Sequence, residues 1–80
     1  MNKLKTIYTI IAKDDKGNTN YIKFKGNQLL LTEDFQFMTI FNTEEDASNC
    51  LSSIINTAKE ELSKLIDITT LTVKSVTICV

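Results

Sequence analysis

NTEEDASNCLSSIINTAKEELSKLI, residues 42–66, is the stretch whose reading decides the fold. Ala47, Cys50, Leu51, Ile54, Ile55, Ala58, Leu62, Leu65 and Ile66 recur at helical steps and draw one apolar stripe along an otherwise polar segment. Thr43 supplies a hydroxyl for the free amides of a first turn, and Glu44, Glu45 and Asp46 suit the positive end of the helix dipole. Asp46 also stands where a capping box places an acid. The spacing predicts a helix of about 23 residues, roughly 35 Å long, with one face to bury. Such a helix needs a sheet beneath it.

Upstream, Thr6, Ile7, Tyr8, Thr9, Ile10 and Ile11 favour a strand, and the run from Asp14 to Asn18 favours a turn. A loop of Asp15, Lys16 and Gly17, with Gly17 left-handed, pairs Ile10 with Ile22 and Tyr8 with Phe24. That register puts Tyr8, Ile10, Ala12, Ile22 and Phe24 on one face. The other face receives Ile7, Thr9, Ile11, Lys13, Tyr21, Lys23 and Lys25. Gly26 and Asn27 fit a type II′ turn that pairs Phe24 with Leu29 and Ile22 with Leu31. FQFMTIF, residues 35–41, is apolar on both parities, which predicts a bend followed by a short fourth strand near residues 39–41. Downstream of the helix, residues 70–80 form a last strand whose apolar phase changes at Lys74 and Ser75, where a bulge restores one apolar face. The predicted fold class is α+β: a mainly antiparallel sheet in the order ββββ-α-β, with one long amphipathic helix on one face. Residues 1–80 make a single domain.

Composition narrows the function. The chain has 80 residues and no His, Pro or Trp, its nine basic residues are all Lys, and its formal charge is −1. Without His the commonest general base and metal ligand is missing, and without Arg the bidentate reader of phosphates and bases is missing. Two glycines build no phosphate loop, and no nucleophile motif is present. The expectation is a protein that is not an enzyme and uses neither cofactor nor metal. Cys50 and Cys79 lack the spacing of a zinc site and read as reduced core thiols. No apolar run approaches the roughly 20 residues of a membrane span, and the amino-terminal run is too short for a signal peptide, so a cytoplasmic location is expected. The Lys-, Asn- and Ile-rich composition points to a low-GC genome.

Two surfaces stand out as candidate contact regions. The sheet face opposite the helix carries Ile7, Thr9, Ile11, Tyr21, Lys23 and Lys25, a half-apolar, lysine-edged surface that one helix leaves uncovered and that suits a partner protein. Glu44, Glu45 and Asp46 form a second zone suited to a basic partner, such as the nucleic-acid channel of a nuclease. An alternative is a small nucleic-acid-binding module that uses Lys13, Lys23, Lys25 and Tyr21, separable by charge reversal at Lys23 and Lys25. A third reading is a structural homodimer whose sheet faces pack together.

The segment YIKFKGNQLLLTEDFQFMTIFNTEEDA, residues 21–47, resembles a pattern met in small proteins of phages and prophages of low-GC Gram-positive bacteria. There a strand and a Thr-acid-Asp turn lead to a short strand ending in Phe-x-Thr-acid-acid-x-Ala, matched here by Phe41, Thr43, Glu44, Glu45 and Ala47. The sequence departs from the pattern at Met38, where a small residue is expected. The resemblance covers about a third of the chain and brings no catalytic residue with it. It implies a protein that binds a host bacterial protein and blocks it, such as an inhibitor of a CRISPR nuclease or of another anti-phage defence.

Overall fold

The computed structural model describes residues 3–25 and 28–79. Its elements are β1 (Leu4–Lys13), β2 (Thr19–Lys25), β3 (Gln28–Thr32), a 3₁₀ turn (Phe35–Phe37), α1 (Glu44–Leu62) and β4 (Asp67–Cys79). The four strands form one sheet in the order β3-β2-β1-β4, antiparallel throughout. A small α+β domain with one helix is therefore the observed fold class.

Asp14 builds the first turn. Its Oδ1 accepts the amides of Lys16 and Asn18, both at 2.9 Å, while Gly17 N–H donates to the Asp14 carbonyl at 3.0 Å. Gly17 has φ +82°, the left-handed conformation that closes a three-residue hairpin loop onto right-twisted strands. Asn20, buried behind the turn, donates to Asp14 Oδ2 and to the Asn18 carbonyl. The predicted register follows as far as Ile11 opposite Tyr21. The second hairpin also has its predicted register, with Phe24 opposite Leu29 and Ile22 opposite Leu31. Its Gly26-Asn27 turn lies outside the described residues, as does the final residue of the predicted last strand.

Beyond Tyr21 the first hairpin departs from expectation. β1 and β2 separate, so Ile10 does not pair with Ile22 nor Tyr8 with Phe24. Residues 39–41 enter the gap. Thr39 N–H donates to the Ile22 carbonyl of β2 at 2.9 Å, and Phe41 exchanges two backbone hydrogen bonds with Tyr8 of β1, at 2.8 and 2.9 Å. The predicted fourth strand is thus an isolated bridge wedged into the sheet. Its two-sided apolar pattern has a physical cause. Phe37 lies against Lys23 on the face away from the helix, whereas Phe41 packs against the helix-side core. The chain crosses from one face to the other through the split hairpin.

Thr43 caps α1 as predicted, its Oγ1 accepting Asp46 N–H at 3.1 Å. The helix has 19 residues rather than about 23 and ends at Leu62. There the chain turns, with Leu65 and Ile66 amides donating to the Leu62 carbonyl. Ile66 still reaches the core, but Leu65 points outward and is 62% exposed, which removes it from the buried stripe. The core joins Ile10, Ala12, Ile22, Ile54, Leu62, Ile66 and Leu71.

β4 begins at Asp67, earlier than predicted, and its bulge is elsewhere. Pairing with β1 runs unbroken from Leu4 opposite Cys79 to Ile11 opposite Thr72, and the register shifts only between Ile11 and Lys13. The shift lets both Ile68 and Leu71 pack on the core. The phase change at Lys74 and Ser75 is instead a change of face. Val73 opposite Ile10 belongs to the helix side, whereas Val76 opposite Ile7 belongs to the other side.

Candidate functional site

The face away from the helix is not left open. Ile7 is 3% exposed and Thr9 is fully buried, which takes both out of the surface on which they were expected to meet a partner. The crossing segment accounts for Thr9: its Oγ1 donates to the Thr39 carbonyl at 2.9 Å. Ile11 and Tyr21 are half-buried, Lys23 is half-buried, and Lys25 is exposed. The sequence signal for this cover was the two-sided apolar run 35–41, whose destination depends on contacts remote in sequence.

The cover itself offers a surface that the residue-by-residue reading missed. Asp34 Oδ1 accepts Gln36 N–H at 2.9 Å and starts a single 3₁₀ turn, closed by the amides of Phe37 and Met38. A turn this short has no inner face in which to hide two rings. Phe35 and Phe37 are 61% and 54% exposed, and Ile40 is 53% exposed. Met38, the departure from the expected small residue, is half-buried in extended backbone at the end of the turn.

Lys23 completes the arrangement. Its ammonium lies 4.9 Å from the centroid of the Phe37 ring, inside the range of a cation–π contact. Phe24 N–H donates to Thr39 Oγ1 at 3.0 Å, so the segment is tied to β2 by backbone as well as by charge. The region joins exposed aromatic rings, an aliphatic side chain and lysines on a backbone pinned at Thr39 and Phe41. Chemically this can bind; it presents no nucleophile with a partnered base.

Glu44, Glu45 and Asp46 are exposed on the first turn of α1, where the dipole explains them. Cys50 is half-buried on the inner side of the helix, and burial pushes its thiol pKa up, away from reactivity. Cys79, expected in the core, is instead exposed at the end of β4, and its thiol is free. Among the described residues no helix is long and apolar enough to cross a membrane. Comparison with known protein families, with curated proteins and with solved structures finds no match to this chain.

Proposed function

We propose that this chain is a non-enzymatic, phage-type protein that binds and inhibits a host bacterial protein, with a CRISPR nuclease as the best single candidate. The observation that supports the binding role is the exposure of Phe35, Phe37 and Ile40 within six residues of a pinned segment. Large exposed apolar side chains cost solubility unless a partner covers them, and aromatic anchors dominate binding energy at interfaces. Lysines at the edge and the acids Glu44, Glu45 and Asp46 tune which partner is accepted. The inhibitory role and the nuclease target rest on the phage-like pattern of residues 21–47.

The test is capture from a nuclease-treated lysate of a low-GC Gram-positive bacterium that carries an intact CRISPR system. Wild type is compared with a triple variant, Phe35→Ser, Phe37→Ser and Ile40→Ser, whose sites are all exposed. The proposal expects one stoichiometric protein that the variant fails to retain and whose activity falls as wild type is titrated to one equivalent. Equal capture by both proteins, or no inhibition at saturation, defeats it.

One observation favours a second reading. Phe37 beside Lys23 supplies the aromatic neighbour that a nucleic-acid-binding sheet face needs and that Tyr21 alone did not. Binding to single-stranded DNA that weakens with salt and with Lys23→Glu/Lys25→Glu would support this module over the inhibitor.

A further inference from the structure

A groove of about 540 Å³ runs between α1 and the β2–β3 hairpin, on the helix side of the sheet, the face opposite Lys23. It exists because the helix packs chiefly on β1 and β4, away from the β3 end of the sheet. Ile54 and Leu62 form a buried floor, and Phe24, Leu30 and Leu65 are exposed at the walls.

Two features define what the groove can hold. First, β3 is the end strand of the sheet, so the backbone edge of Gln28–Thr32 away from β2 has no strand partner among the described residues. The groove is lined by Leu29, which shares the helix-side face with Phe24, and by Gln28 and Leu30 of the opposite parity. A cavity that touches both parities of a strand runs along its edge, as an added strand does. Second, Glu61 is the single charged side chain in the lining, set among Ser53, Thr57 and apolar groups. A carboxylate at an apolar wall selects for a cation at one position of the occupant.

We infer that the β3 edge and this groove form a binding site for an extended peptide segment of a partner protein. The segment adds as a fifth strand beside β3, places alternate apolar side chains in the groove and sets a Lys or Arg against Glu61. Five residues of β3 give about 17 Å of edge, enough for a five-residue segment. A second copy of this chain fits less well. β3 carries no charge to answer Glu61, so a two-fold pairing of β3 with its own copy leaves that carboxylate unanswered, and insertion of another strand of a second copy is a head-to-tail contact that builds a ring or a filament rather than a simple dimer. The inference stands independently of the inhibitor proposal, which uses the other face.

The experiment displays a library of ten-residue peptides with Val, Ile or Phe at alternate positions and all residues allowed between. Selected peptides are titrated into ¹⁵N-labelled full-length protein. The expected result is enrichment of peptides with one fixed Lys or Arg, with amide shifts centred on residues 28–32 and 53–65. Glu61→Lys is expected to weaken binding at least about tenfold, and Thr57→Arg, which fills the groove from an exposed position, to abolish it. The inference is overturned if no peptide is enriched, if enriched peptides lack a basic residue, if both variants bind normally, or if shifts map to residues 21–25 and 35–40. Concentration-dependent self-association that shifts the β3 amides in the absence of peptide overturns it in favour of a second copy.

Discussion

Thr9→Val tests whether the crossing segment is held as described. Valine matches threonine in shape, so the packing around this fully buried position is kept and only the hydroxyl is removed. The Thr39 carbonyl then loses the 2.9 Å hydrogen bond that ties the crossover to β1. Leaving a fully buried acceptor without its partner costs about 1–3 kcal/mol, and the half-buried Thr39 carbonyl falls toward the lower end of that range. For a domain of this length total stability is about 4–12 kcal/mol, so the change is a sizeable fraction. Each kcal/mol lowers the melting temperature of a domain this size by about 4–8 °C. A fall of about 6–12 °C is therefore expected from a loss of roughly 1.5 kcal/mol, read by circular dichroism and checked by urea titration with an unchanged slope. Thr72→Val is the control: this exposed threonine sits opposite Ile11, its hydroxyl makes only a marginal 3.5 Å contact, and its replacement should stay within about 0.5 kcal/mol. If Thr9→Val melts within 2 °C of wild type while Thr72→Val does likewise, the crossover is not anchored through Thr9 and the account of the split hairpin fails.

Thr43→Ala removes the side-chain acceptor for the Asp46 amide and should cost about 1 kcal/mol in chemical denaturation; no loss would mean that the first turn is capped by other means. Gly17→Ala meets no atom within 4 Å, so its expected destabilisation of about 1 kcal/mol arises from the positive φ alone, and a neutral result in thermal melts would remove the left-handed turn. Acid should also weaken the fold. Asp14 is held below the ordinary carboxylate range by the Asn18 amide first, then by Asn20 and Lys16, and Asp67 by the hydroxyl and amide of Thr69. A depressed folded pKa means that the unfolded chain binds the proton more readily, so the contribution is complete above the ordinary carboxylate value and is lost as pH falls through the folded one. Denaturant midpoints measured between pH 7 and pH 2 should decline in that acid window, and Asp14→Asn/Asp67→Asn should flatten the part of the decline due to these two groups.

Much of the fold was legible because its signals are local. Thr43, Glu44 and the apolar stripe specify a helix start within one turn, and Gly17 with Asp14 specifies a hairpin register within five residues. The register of β2 against β3 follows from a two-residue connection in the same way. What failed was non-local. Nothing within β1 or β2 announces that they part after Tyr21, because residues that bridge parted strands lie in the separate segment 39–41. The phase change of β4 was visible, but alternation cannot distinguish a bulge from a strand whose two halves are buried on opposite faces. For the same reason Ile7 and Thr9 read as surface residues. The burial of Thr9 depends on a cover formed thirty positions away.

The crossover connects the architecture to the proposed role. A six-residue loop with three exposed apolar side chains would ordinarily lose much conformational freedom on binding, and that loss opposes affinity. Here Thr39 is tied to Ile22, Phe24 and Thr9, and Phe41 to Tyr8, before any partner arrives. The sheet gives up direct pairing between β1 and β2 beyond Tyr21 to hold this segment in place. A plain loop joining β3 to α1 over the sheet edge would have preserved that pairing. The structure therefore places its most irregular backbone under its most exposed aromatic groups, where preorganisation favours binding and where the loss of one hydroxyl at Thr9 should disturb both stability and the contact surface.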